Sequence, residues 1–269
     1  MRRPDRVHAT GTKAAGMSAV HIITPIISEG FRDEAPLAAA VPAGCRISST
    51  MLERGPASVE SAVDEVLAGP GVIDAALRAE AEGADALVID CMLDPALEAA
   101  REAVSIPVIG CGEAAMTAAA AAGPFAIVTV LARQEPAFRA LAARYGLADG
   151  LVCVRGIGMP VLALEREAEA AVAATVREAR QAVDRDGART VVFGCTGMLG
   201  FGASVAAALD GAAEVIDPLP FAVARAHAAA TVGAGAAGTS HPAPEPKRIA
   251  GFEGWPALVA LMEGRPWRR

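Results

Sequence analysis

Lysine is nearly absent from this sequence: 269 residues contain two, Lys13 and Lys247, both near the chain ends. A pyridoxal phosphate enzyme needs a lysine beside its site for the Schiff base, so that chemistry is not expected. Basic patches are missing too. Lys and Arg total 24 against 31 Asp and Glu, a formal net charge of -7, and no basic cluster is interleaved with aromatics. Nucleic acid is therefore not an expected partner. Aromatics make up only 4%, so helices rich in Ala should pack closely through small faces. The five cysteines, at 45, 91, 111, 153 and 195, show no close pair spacing, which argues against a disulfide framework or a structural zinc site. Reduced thiols and a cytoplasmic location are the expectation. His8 and His241 lie near the ends, His21 opens a strand and His227 sits in an Ala-rich helix, so neither a metal nor a cofactor is expected.

Long membrane-type runs are also lacking. Two uncharged windows, 114–132 and 190–209, are broken by Gly123-Pro124 and by four glycines respectively, and they read as buried strand followed by helix. The opening MRRPDRVHATGTKAAG is positive but has no apolar stretch behind it. Residues 1–16 are read as a disordered tail, with Met17 a plausible start and no signal peptide.

Hydrophobic residues supply 53% of the chain, and they fall into short apolar runs that alternate with helical patterns. Strands are predicted at Val20–Ile23, Leu87–Ile89, Pro107–Ile109, Phe125–Val130, Leu151–Val154, Thr190–Phe193 and Glu214–Ile216. Helices are predicted at Gly71–Glu82, Pro95–Val104, Glu113–Ala122, Pro136–Tyr145, Glu165–Asp184 and Phe221–Thr231. Strand and helix in alternation imply an α/β fold with parallel sheets.

Within that alternation lies a repeat. Gly83-Ala84 precedes Cys91 by eight residues and Gly187-Ala188 precedes Cys195 by eight, an offset of 104 positions. "HIIT" at 21–24 matches "AIVT" at 126–129, and "PVIG" ending at Gly110 matches "EVID" ending at Asp217. A duplicated unit would place one cysteine at the carboxyl end of a strand in each sheet, where open α/β sheets hold their ligands. Two thiols would then face one bound molecule from opposite sides.

Each thiol has a local setting. Asp94-Pro95 reads as an N-cap and first helical residue just after Cys91, so the helix end is expected to favour a thiolate. Cys195 lies in "FGCTGMLGFG", where glycines let backbone N–H groups approach an anion. Cys45 and Cys153 read as small core residues, and Cys111 as wall or bystander. Two opposed acid–base groups are what racemisation at a carbon acid requires, one removing a proton as the other supplies one to the far face. A redox dithiol is the plainer alternative, but it needs the sulfurs at bonding distance.

These motifs resemble the cofactor-independent Asp/Glu/hydantoin racemase superfamily. The resemblance rests on "GADALVIDCMLDPALEAAREAVSIPVIG" with "GEAAM", on "VVFGCTGM", on "ERGPASVES" and on "HPAPEPKRIAGF", and it spans most of residues 17–252. It implies two pseudo-symmetric lobes, each a parallel sheet flanked by helices, with the site in the cleft between them. Residues 17–115 and 211–232 would form lobe 1, residues 116–210 lobe 2, and 233–269 a C-terminal tail whose Phe252, Trp255 and Trp267 dock on the body or on a second subunit. It also implies that Cys91 and Cys195 are the catalytic pair and that the protein is a homo-oligomer.

"GCTGM" at 194–198 is similar to the hydantoin and allantoin branch, although "TPIIS" at 24–28 stands where that branch often has Asn-Pro-Asn-Thr. Pro25, Ile26, Ser58, Met92, Thr129, Thr196 and Gly197 are the expected substrate-binding positions. Arg46, Arg54 and Arg133 are available to a dicarboxylate substrate but read as exposed side chains. Asp90 is read either as orienting Cys91 or as satisfying a strand end, and Asp94 as a cap. A small-molecule substrate of hydantoin type is the leading expectation. An aspartate/glutamate-type racemase, a maleate isomerase-like enzyme and a protein that only binds an anionic metabolite are the alternatives.

Overall fold

The apolar runs become the central strands of two parallel sheets in the computed structural model, which describes residues 17–232 and 241–266. The predicted tail at 1–16 and Trp267 lie outside the described residues. The first sheet contains β1 (Ser18–Thr24), β2 (Cys45–Met51), β3 (Ala86–Ile89) and β4 (Val108–Gly110). The second contains β5 (Phe125–Thr129), β6 (Leu151–Gly156), β7 (Thr190–Phe193) and β8 (Glu214–Ile216). Their orders are β2-β1-β3-β4 and β6-β5-β7-β8, and every pairing is parallel. Every residue of β3, β5 and β7 is buried. Strands covered on both faces are expected to read as unbroken apolar runs, and these do.

The repeat survives in the register. Ile23 pairs with Ile89 in the first sheet, and Val128 pairs with Phe193 in the second. Strand β2 is one that periodicity does not find: CRISSTM mixes half-buried and exposed residues along a sheet edge, and polar Ser48 and Ser49, both exposed, interrupt the apolar signal.

Nine α-helices connect or cover the strands: α1 (Ala35–Ala40), α2 (Ala62–Ala81), α3 (Leu97–Ala103), α4 (Cys111–Ala122), α5 (Glu135–Arg144), α6 (Ala168–Asp184), α7 (Gly202–Leu209), α8 (Pro218–Thr231) and α9 (Pro256–Met262), counted among the described residues. Helix α2 starts nine residues before its predicted Gly71, because Ser61 caps it: the Ser61 Oγ accepts the Asp64 N–H at 3.3 Å while its hydroxyl donates to the Asp64 carboxylate at 2.7 Å. That reciprocal arrangement satisfies the first turn.

The segment 211–232, expected in lobe 1, divides between the two sheets. Strand β8 pairs with β7, Val191 opposite Val215, and so completes the second sheet. Helix α8 instead packs on β1, β3 and β4 of the first, burying Leu219, Ala222, Val223 and Ala226. The chain thus recrosses only after finishing its second four-stranded unit. The C-terminal stretch also ends in structure: Asp74 of α2 accepts the N–H groups of Ala257 and Leu258 at 2.7 and 3.0 Å, fastening the start of α9 to the body. Phe252 and Trp255 pack on each other with ring centroids 5.8 Å apart. No helix among the described residues is long and apolar enough to cross a membrane.

Candidate active site

Four central strands, β1 and β3 of one sheet and β5 and β7 of the other, end around one small cavity. Thr24, Pro25, Ile26, Asp90, Cys91, Met92 and Leu93 line it from the first unit, and Gln134, Gly194, Cys195 and Thr196 from the second; Phe31, Val59 and Val161 close the sides. Its free space is about 30 Å³, room for a water or two.

Cys91 sits in the turn that follows β3. Its N–H donates to the Ile89 carbonyl and its own carbonyl accepts the Asp94 N–H. Asp94 and Ala96 then adopt left-handed backbone, φ 48° and 57°, so α3 begins only at Leu97. The predicted helix start at Asp94-Pro95 is corrected here. Asp94 caps a different helix: its carboxylate accepts the Gly112 and Glu113 N–H groups at the start of α4 (2.9 and 2.7 Å) and the Tyr145 hydroxyl at 2.7 Å. Glycine is required at 112, where a Cβ would stand 2.3 Å from the Met92 carbonyl oxygen. Burial pushes the Asp94 carboxyl up to about 7, against the three hydrogen bonds that favour its anion.

Cys195 opens a short 3-10 turn, Thr196–Met198, and its Sγ accepts the Gly197 N–H at 3.3 Å. Burial nevertheless pushes this thiol up to about 12, with the Gly197 N–H and the Arg32 charge acting in the opposite direction. Burial likewise holds Cys91 well above the ordinary thiol value, with the nearby Asp94 and Asp90 adding to the effect and the Leu93 N–H opposing it. The expected backbone N–H is present at Cys195, and at Cys91 the Leu93 N–H stands in for the expected helix start, but desolvation outweighs both and disfavours either thiolate.

Both thiol turns are bonded by a residue the sequence does not single out. Arg32 is 8% exposed. It donates to Asp90 Oδ1 at 3.0 Å, forms an ion pair with Asp90 Oδ2 at 2.8 Å, and reaches the Thr196 carbonyl at 3.3 Å and Glu34 at 3.0 Å. Its guanidinium lies 4.8 Å from the Phe31 ring centroid. Asp90 also accepts the Thr24 hydroxyl at 2.9 Å, while the Thr196 hydroxyl donates to the Asp90 carbonyl at 3.3 Å. No local pattern signals this network, because its partners stand 58 and 164 residues away in sequence.

Of the predicted substrate contacts, Pro25, Ile26, Met92 and Thr196 line the cavity. Thr129 stands behind it, fully buried, donating to Gln134 and the Gly194 carbonyl; Gln134 is the side chain that reaches the lining. Gly197 contributes its N–H to Cys195 rather than a cavity wall. Ser58 is half-buried off the lining and its neighbour Val59 takes the position. Cys111 is sealed at the start of α4. Arg46, Arg54 and Arg133 are exposed and none lines the cavity. His21 bonds to Ser48 and His227 to Ser18, both away from the lining. Among the described residues no group of three or more His, Cys, Asp or Glu is arranged to hold a metal ion.

The profile of the family Asp/Glu/Hydantoin racemase matches residues 32–226. The chain belongs to this family. Its curated relatives include a hydantoin racemase of Pseudomonas sp. (strain NS671), 41% identical over 152 residues, which are 56% of this chain and 61% of that protein. A hydantoin racemase of Rhizobium meliloti is 36% identical over 182 residues, 66% of this chain and 76% of the relative. The match thus spans less than two thirds of the Pseudomonas protein and about three quarters of the Rhizobium one. Among solved structures, an allantoin racemase from Klebsiella pneumoniae superposes with a TM-score of 0.84 at 30% identity, covering 93% of this chain and all of that one. For a member of the racemase family, the two-sheet fold is the one its structural neighbours share, and the cavity of this member holds a cysteine from each sheet.

Proposed function

We propose that this protein is a cofactor-independent racemase in which Cys91 and Cys195 act as acid and base on a hydantoin-type substrate. The observation that carries the reading is that the two sulfur-bearing residues stand at the ends of equivalent strands, β3 and β7, and line one cavity. One thiolate takes the proton from the substrate's stereogenic carbon, and its electron pair passes into the adjacent ring carbonyl. The opposite thiol delivers its proton to the other face, which leaves the thiol pair with its roles exchanged and ready for the reverse reaction. Desolvation makes each thiolate scarcer but more basic, which suits a weak carbon acid.

The charge of the cavity supports an uncharged ring over a dicarboxylate amino acid. Among the described residues no Lys or Arg lines the cavity, the buried Arg32 behind the lining is committed to Asp90 and Glu34, and Arg46, Arg54 and Arg133 are exposed. We also retain self-association as a proposal: Val63, Val66 and Leu67, spaced along one face of α2, are 67%, 75% and 54% exposed. Light scattering after gel filtration tests it, and a monomer at micromolar concentration rejects it.

The decisive experiment follows proton exchange. Single enantiomers of 5-substituted hydantoins, allantoin, Asp and Glu are incubated with the protein in deuterated water and read by NMR and polarimetry. Racemisation of a hydantoin with solvent deuterium in the product, lost by about 100-fold or more in Cys91→Ser and in Cys195→Ser, is the expected result. Binding without exchange in the parent protein would instead identify a metabolite-binding protein.

A further inference from the structure

We infer that Arg32 is a positioning residue that ties the two thiol turns together and sets the separation at which Cys91 and Cys195 meet the substrate carbon. The inference rests on the two-thiol reading above and deepens it. Three observations carry it. Arg32 leaves the loop between β1 and α1, so it belongs to the first unit, yet its guanidinium donates to the Thr196 carbonyl, the residue next to Cys195 in the second. The same guanidinium pairs with Asp90, the residue before Cys91. A single planar group thus bonds one sequence neighbour of each cysteine.

The surrounding contacts restrict how it can move. Phe31 lies against the guanidinium, Glu34 accepts from Nε, and the Asp90 oxygen that pairs with Nη2, Oδ2, also accepts the Thr24 hydroxyl. A second crossing runs beside it, the Asp33 N–H donating to Glu165. Arg provides a rigid fork able to serve several acceptors at once, which a lysine ammonium on a flexible stem does not reproduce. Arg32 contributes its geometry rather than a proton. Within the network, the charges facing it are those of Asp90 and Glu34, and its charge also eases ionisation of Cys195.

A tie of this kind predicts a particular failure. A thiolate that removes the proton can still return a solvent-exchanged proton to the same face when the opposite thiol is misplaced. Exchange with retention should therefore rise relative to racemisation when the tie is cut. The test compares Arg32→Lys, Arg32→Met and the double variant Arg32→Met/Asp90→Asn, which leaves no unpaired buried charge and so guards against simple unfolding. Each is first shown to melt cooperatively, then assayed in deuterated water for kcat, KM and the ratio of exchange to racemisation. The expected result is a fall in kcat of about 100-fold with little change in KM, including in the lysine variant, and a rise in the exchange ratio. A folded double variant that keeps the parent's rate and ratio, a lysine variant with full activity, or a loss confined to KM would overturn the inference. Cys91→Ser and Cys195→Ser run alongside as separate controls. If they still racemise, the two-thiol reading falls; if they are inactive while the Arg32 variants behave like the parent, only the tie falls.

Discussion

The two thiol turns occupy equivalent places in a duplicated framework and are built differently. After β3 the chain carries a charged residue, Asp90, then Cys91, then a turn closed by two non-glycine residues with left-handed backbone. After β7 it carries Gly194, then Cys195, whose sulfur accepts a backbone N–H from Gly197. Each turn is also gripped by a threonine at the end of the neighbouring strand, Thr24 for the first and Thr129 for the second. The duplication therefore conserves where a sulfur stands but not what surrounds it. Asp90 raises both thiols; beside it Cys91 has Asp94, whereas Cys195 has Glu60 and the opposing charge of a guanidinium, Arg32. A cation opposes burial at the second thiol, and the site is electrostatically lopsided although its frame is symmetric.

The largest effect expected from this difference is on the pH profile. With both thiols raised, the reactive thiolate is scarce at neutral pH, and kcat/KM for a hydantoin should climb about tenfold per pH unit over roughly pH 7 to 10. Burial raises Cys195 to about 12 and Cys91 well above its ordinary value, so whichever sulfur acts as base the limb should still be ascending at the upper end of that range. Initial rates corrected for the non-enzymatic reaction measure it. A plateau near pH 8.5 would mean that burial does not control the sulfurs, and the lopsided picture would be lost.

Next in size is the charged turn itself. Asp90→Ala strips Arg32 of its buried partner while leaving a guanidinium that is 8% exposed, a loss of about 3–5 kcal/mol in urea unfolding. The glycine turn is tested by the opposite change. In Gly194→Ala the new Cβ would lie 2.4 Å from the Thr129 Cβ and 2.8 Å from the Ile127 Cγ2, so strand β7 must shift, at about 1–3 kcal/mol. The first turn depends on charge pairing and the second on close backbone approach. Equal losses in the two variants, or a larger one for Gly194→Ala, would contradict that assignment.

How much of this was legible in the sequence follows from the same contrast. Strands β3, β5 and β7 announce themselves because both faces are buried, and the cysteine at each end could be located from an ungapped repeat. Edge strand β2 hides because half of its side chains face outward. Asp94-Pro95 has the residues of a helix start, yet a left-handed φ turns the Asp94 carboxylate toward α4, eighteen residues further along. Thiol basicity escapes the sequence for a related reason: local N–H groups can be read from spacing, but desolvation depends on what the second sheet brings against the first. Arg32 is the extreme case. An arginine between Phe31 and Asp33 looks like an ordinary surface residue until residues from two distant turns close around it.

The smallest expected effect separates the two threonines, which the repeat makes equivalent. Thr24 donates to an ionised acceptor, Asp90, at 2.9 Å, whereas Thr129 donates to the neutral amide oxygen of Gln134 at 2.8 Å and the Gly194 carbonyl at 3.2 Å. Hydrogen bonds to charged groups contribute about 1.5–3 kcal/mol and neutral ones about 1 kcal/mol. Valine replaces threonine with nearly the same shape, so Thr24→Val should lose more stability in urea than Thr129→Val, by about 1 kcal/mol. The same pair measured in an Asp90→Asn background sharpens the point, because the carboxamide is neutral. There the two valine variants should become equal, and a Thr24→Val penalty that persists undiminished would show that its hydroxyl matters for something other than the charge at the end of β3.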